Sequence, residues 1–234
     1  MKIICCGCSY MATSPKLPGT HFTEILSRQH QLVIQNYSKS GASNFTIRLQ
    51  IEQAIRENAD LLLIAFTSEH RIEIPIQNKQ YDLLHGIKNI QYPKRSPEFY
   101  DSSLVTTQSD VIGNHPQTDA VVKWFSDIYD SKLKLESDYY IASGALDKLT
   151  RLGIPFLFTD GGLRGYSTWD PVRPDLSSII DWTPWKQYQV DDSLNPWNSP
   201  YQNTNTYHTT VEEQLRLAQC WAEKIRNIHD RIWP

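Results

Sequence analysis

The sequence predicts an α/β protein, a three-layer α/β/α sandwich around a mainly parallel sheet with two long insertions. Three observations carry that reading. Four short apolar runs have the length and composition of buried parallel strands: Lys2–Cys6, Leu32–Gln35, Leu61–Phe66 and Pro155–Thr159. Helical patterns alternate with them, which implies right-handed crossovers and the flavodoxin-like strand order 2-1-3-4. Polar clusters follow the strand ends, where open α/β sheets bind ligands.

The elements follow in chain order. The first run stops at Gly7, which permits a tight turn, and Ser9 comes two residues later. Phe22–Arg28 reads as a short helix. Asn44–Asn58 carries Ile47, Ile51, Ala54 and Ile55 on one face, with Ser43 or Asn44 as its N-cap. A longer helical region runs from about Thr118 to Leu152. Its second half sets Leu135, Tyr139, Ala142, Leu146 and Leu149 at helical spacing, with Gly153 as the C-cap. The last helix begins at Thr210, where Thr210-Val211-Glu212-Glu213 forms a capping box. Two segments break the rhythm and mark insertions at about 75–116 and 161–205. The first is polar and rich in turn residues. The second holds five prolines and four tryptophans, which predicts an ordered flap beside the crevice.

The 234 residues suit a single such domain spanning 1–234, with a sizeable core. A net charge of −3 supplies no global field to recruit nucleic acid or a membrane surface. Cys5, Cys6 and Cys8 crowd the first strand, where side chains alternate faces, so with Cys220 they read as reduced thiols and not as a disulfide framework. No apolar stretch reaches the ~18 residues of a membrane span. The N-terminus enters a strand directly, so the expectation is a cytoplasmic protein without a signal peptide. No phosphate loop, dinucleotide fingerprint or metal-ligand spacing is present, although Glu69, His70 and His208 are metal-ligand residue types. No cofactor or metal is expected.

The chemistry-bearing residues form an ordered set. Gly7-Cys8-Ser9 follows the first strand, and Asn36-Tyr37-Ser38-Lys39-Ser40-Gly41-Ala42-Ser43-Asn44 follows the second. Phe66-Thr67-Ser68-Glu69-His70-Arg71 follows the third, and His208 stands before the last helix. An exposed serine needs a base within hydrogen-bond reach to become a nucleophile, and His208 is the candidate. At a helix start the macrodipole disfavours a positive imidazole, which suits a general base.

This arrangement resembles the SGNH, or GDSL-like, hydrolase superfamily from Lys2 to Ile228 in block order. It looks closest to the SGNH-like proteins of bacteriophages and bacteria with Thr-Ser-x-x-Arg after the third strand, matched here by Thr67, Ser68 and Arg71. A phage origin would imply the host cytoplasm or the virion. The family's Gly-Asp-Ser block aligns with Gly7-Cys8-Ser9, which implies Ser9 as nucleophile and Cys8 as a buried neighbour. Its second block is matched by Asn36, Gly41 and the run Gly41-Ala42-Ser43-Asn44, which implies an oxyanion-hole amide at Gly41. In the third block Ser68 stands where the family has an asparagine. In the last block, Asn205-Thr206-Tyr207-His208, Asn205 stands where the family has an aspartate.

Both departures have physical consequences. Losing an oxyanion donor typically costs roughly 2.7–4 kcal/mol in the transition state, and Arg71 could compensate with charged donors. An amide in place of the acid cannot stabilise an imidazolium, so Asp160, Asp191 or Asp192 are alternative partners for His208.

The resemblance therefore implies a serine ester hydrolase, an esterase or carbohydrate O-deacetylase. Its site would comprise Ser9, His208 and Asn205, with Gly41, Ser68 and Arg71 at the oxyanion. Tyr10, Asp160, Trp169 and Trp197 would shape the pocket for a small-molecule or glycan ester. The rival reading is a module of the same fold that keeps the crevice for a glycan or protein ligand without efficient catalysis. The substitutions at Ser68 and Asn205 motivate it.

Overall fold

A computed structural model of the chain describes residues 1–13, 18–39, 42–67, 71–75, 102–106, 123–124, 127–161, 163, 179–190 and 211–232. Four strands form a parallel sheet: β1 (Lys2–Gly7), β2 (Val33–Asn36), β3 (Leu61–Ala65) and β6 (Phe156–Thr159). Their order is β2-β1-β3-β6, which is the predicted 2-1-3-4 arrangement. β3 is buried at every position, as expected of a central parallel strand covered on both faces. β2 lies at the edge and leaves Val33 70% exposed.

Helices cover both faces. α1 (Phe22–His30) packs with α4 (Val211–Ile232) in one layer, and α2 (Asn44–Arg56) packs with α3 (Ser131–Leu152) in the other. Phe22 stacks on Trp221 at 5.8 Å, and its backbone N–H donates to Gln214 Oε1 at 2.7 Å, which joins α1 to α4. Ser43 caps α2 and Gly153 caps α3 with a φ of 65°, both as the sequence predicts. Thr210, the proposed N-cap, lies outside the described residues, and Glu212 and Glu213 occupy the first turn of α4. No helix among the described residues is long and apolar enough to cross a membrane.

Three features depart from the sequence reading. The helical region expected from about Thr118 is interrupted: residues 123, 124 and 127 are helical, and the helix ending at Leu152 starts afresh at Ser131. Asp130 interrupts the pattern because its carboxylate accepts from the Leu133 N–H at 2.9 Å and makes it an N-cap. The polar stretch after β3 is flanked by an antiparallel ribbon, β4 (Arg71–Pro75) with β5 (Ser102–Thr106). The described part of the second insertion is more firmly packed than a flap. Trp182 lies parallel to Phe66 at 6.0 Å and 4°, and a 3-10 helix spans Thr183–Tyr188. Gln189 then bridges Phe158 in parallel, and the Val190 N–H donates to the Phe158 carbonyl at 2.7 Å. This segment covers the outer edge of β6.

None of the four cysteines forms a disulfide. Burial pushes the Cys5 and Cys6 thiols well up, so both stay protonated and inert.

Candidate active site

The strand order places the candidate site. The chain runs from β1 to β2 on one side, then crosses over β1 to reach β3 on the other. Connections therefore diverge between the C-terminal ends of β1 and β3, the topological switch point where such sheets bind ligands. Ser9 follows β1 there, and Thr67 and Arg71 follow β3.

Ser9 sits in a tight turn. The N–H groups of Met11 and Ala12 both donate to the Cys8 carbonyl, at 3.0 and 3.1 Å. The turn folds back over the strand end, which only glycine at position 7 allows. A Cβ there would lie 2.6 Å from Met11 Cγ, 2.9 Å from its Cβ and 3.2 Å from the Ala65 carbonyl. Asn36 ties the turn to the next connection. Its Nδ2 donates to the Met11 carbonyl at 2.6 Å and its Oδ1 accepts from the Ser38 N–H at 2.9 Å. Gln50 of α2 braces the end of β1 by accepting from the Gly7 N–H at 2.7 Å. It also donates to the Gly7 carbonyl at 3.3 Å.

His21, wholly buried, holds the far side of the turn. Its Nε2 donates to the Tyr10 carbonyl at 3.0 Å, and its Nδ1 accepts from the Thr23 N–H at 3.3 Å as the cap of α1. A carbonyl can only accept, so the proton belongs on Nε2. Burial holds the imidazole down at about 4, against the opposing pull of the Tyr10 carbonyl.

Arg71 reaches Ser9 from the other side. Its side chain is only 8% exposed. Nη2 donates to Ser9 Oγ at 3.4 Å and Nη1 donates to the Ala42 carbonyl at 3.0 Å. The guanidinium thus brings a fixed positive charge to the hydroxyl. A charged donor beside an attacking oxygen favours negative charge on that oxygen and on a tetrahedral oxyanion formed next to it.

Asn44 secures the end of β3. Its Oδ1 accepts from the Thr67 N–H at 2.9 Å, and its Nδ2 donates to the Thr67 carbonyl at 2.8 Å and to Asp138 Oδ2 at 3.0 Å.

The predicted site residues therefore divide into groups. Ser9 and Arg71 come together. Asp160 is buried just after β6, at the same edge of the sheet. Tyr10, expected to shape the pocket, lies in the turn that follows Ser9. It is buried against Phe22 at 5.7 Å, because the turn carries its ring back into the core. Gly41, Ser68, Asn205, His208, Trp169 and Trp197 lie outside the described residues. The sequence reading missed His21, Gln50 and Asp138, and saw Asn44 only as a cap candidate and part of a matching run. A signal existed for two of them. Asn44 and Gln50 are polar residues on the otherwise apolar buried face of α2.

Solved structures match this fold along nearly its whole length. A protein assigned to the G-D-S-L lipolytic family, from Desulfitobacterium hafniense DCB-2, superimposes with a TM-score of 0.51 at 9% identity. The match covers 95% of this chain and 98% of that one. The psychrotrophic esterase EstA from Pseudoalteromonas sp., inhibited by monoethylphosphonate, gives a TM-score of 0.56 at 8% identity, over 98% of both chains. The chain has the SGNH-hydrolase fold. No protein-family model matches its sequence, and a comparison with curated proteins finds no match. The likeness therefore lies in the SGNH architecture, with Ser9 following its first strand.

Proposed function

We propose that the chain is a serine ester hydrolase of the esterase or carbohydrate O-deacetylase type. The observation that carries this reading is Ser9, set in a braced turn at the switch point with the Arg71 guanidinium 3.4 Å from its Oγ. Oγ accepts from Arg71, and a serine nucleophile passes its own proton to a general base as it attacks. The sequence nominates His208 for that role. Ser9 Oγ then attacks the acyl carbon and His208 takes its proton. Arg71, with the Ser9 and Gly41 amides and Ser68, stabilises the oxyanion. The alcohol leaves with the proton from His208, and water cleaves the acyl-enzyme by the reverse sequence. Asn205 orients His208, and Trp169 and Trp197 shape the acceptor side for a small-molecule or glycan ester.

Reaction with a fluorophosphonate probe tests the nucleophile directly. The probe should label the wild type at Ser9, and Ser9→Ala should neither be labelled nor hydrolyse p-nitrophenyl acetate. Hydrolysis surviving in Ser9→Ala would refute the assignment. Arg71→Ala should lower kcat by roughly 10²–10³, the usual effect of removing one oxyanion donor. Asn205→Asp should raise kcat/KM, because a carboxylate stabilises the imidazolium that forms in the transition state. An unchanged rate would show that another group orients His208.

A further inference from the structure

We propose that Asn44 and Asp138 are positioning residues that hold the backbone at Thr67 and so fix the approach of Arg71 to Ser9. The inference rests on the reading of Ser9 as nucleophile and gives Asn44 and Asp138 a role that the resemblance does not assign to them.

Thr67 lies past the end of β3, which closes at Ala65. Beyond it, the Phe66 N–H still donates to the Thr159 carbonyl of β6 at 3.1 Å. At Thr67 the Asn44 side chain takes over, bonding both backbone groups as a neighbouring strand would, at 2.9 and 2.8 Å. An amide has one acceptor oxygen and two N–H donors, and here all three are used. The second Nδ2 hydrogen goes to Asp138, which is fully buried and ion-paired with Lys134 one helical turn earlier on α3. A carboxylate only accepts. It therefore selects the Nδ2 side of Asn44 and leaves Oδ1 facing the Thr67 N–H.

The cap of α2 does not need this side chain, because Ser43 supplies it. Packing alone does not need it either, since a buried amide is costly unless bonded. Two residues before Asn44, the Ala42 carbonyl accepts from Arg71 at 3.0 Å. Residues 42 and 44 thus grip the chain at 71 and 67, on both sides of Ser68. Arg71 extends from that grip to Ser9.

Hydrogen exchange and probe kinetics on the full chain test this together. In Asn44→Ala the Thr67 amide should exchange at least about tenfold faster, having lost a bond of ordinary strength, with protection elsewhere in β1 and β3 retained. The maximal rate of Ser9 labelling by the fluorophosphonate should fall about tenfold, while the half-saturating probe concentration stays within about twofold. Asp138→Asn is nearly isosteric and should give smaller changes of the same kind. It carries the test alone if Asn44→Ala does not fold. Unchanged Thr67 exchange, uniform loosening of the whole chain, or an unchanged maximal labelling rate would overturn the proposal. Absence of labelling in the wild type would instead sink the hydrolase reading, and the exchange comparison would then decide the positioning role on its own.

Discussion

At His21 a buried ring joins the cap of α1 to the turn that carries Ser9. Its ordinary value near 6.5 falls to about 4 in the folded chain. The unfolded chain therefore binds more protons between those two values, and folding stability rises with pH across that window. Stability is full above about pH 6.5 and declines toward pH 4, by roughly 3 kcal/mol in total. His21→Asn keeps a good capping side chain and cannot titrate. Urea unfolding at pH 7 and pH 4.5 should show the variant less pH-sensitive than the wild type. Parallel pH dependences would show that His21 is not the group responsible. Gly161 offers a second residue-scale test. A Cβ there would lie 1.8 Å from the Phe66 carbonyl oxygen, on a backbone with φ of +60°. Gly161→Ala should destabilise the chain by about 3 kcal/mol or more, since strain and backbone overlap combine. Gly144, inside α3, has nothing within 4 Å of the added carbon. Gly144→Ala should stabilise by about 0.5–1 kcal/mol through helix propensity. Thermal melts of the two alanine variants should move in opposite directions.

Between elements, α2 and α3 are joined by Glu52. It accepts from Lys148 across the interface at 2.6 Å and from Arg48 on its own helix at 2.9 Å. Burial works to raise the Glu52 carboxyl, but the bonds from Lys148 and Arg48 together hold it below its ordinary range. These side chains remain partly in water, so Glu52→Gln should cost less than about 1 kcal/mol, and the cost should shrink in 1 M salt. A salt-independent loss in chemical denaturation would point to packing in place of charge. The elements also show what sequence can reveal. β1 and β3 were legible because strands buried on both faces are nearly continuous apolar runs. The boundaries of α2 were legible because Ser43 and the Ile47–Ile51–Ala54 face announce them locally. The start of α3 was not, since Asp130 caps within a region whose periodicity continues across it. The β4–β5 ribbon was not, because it pairs residues across a long polar stretch without periodicity of its own. The site divides in the same way. Ser9 and Arg71 stand next to strand ends and are visible in one dimension. Asn44 meets Thr67 across 23 residues, and Gln50 meets Gly7 across 43. Such bonds exist only once the layers have packed.

For the molecule as a whole, the sheet order decides where chemistry can occur, because it parts the chain between the ends of β1 and β3. The same order makes completion of the fold a matter of timing. Gln214 and Phe22 are bonded across 192 residues, so the partner that covers α1 is made only after all four strands of the parallel sheet. Until α4 leaves the ribosome, Phe22 lacks the cover that Trp221 and Gln214 later provide. A chain stopped before Val211 should therefore be retained by chaperones or aggregate, even though every strand of the parallel sheet has been made. Supplying α4 as a separate peptide should restore solubility if that cover is what is missing. Failure of the peptide to bind the truncated chain would show that the sheet does not assemble before α4 arrives. Emergence of α4 would then set the moment at which this fold escapes quality control.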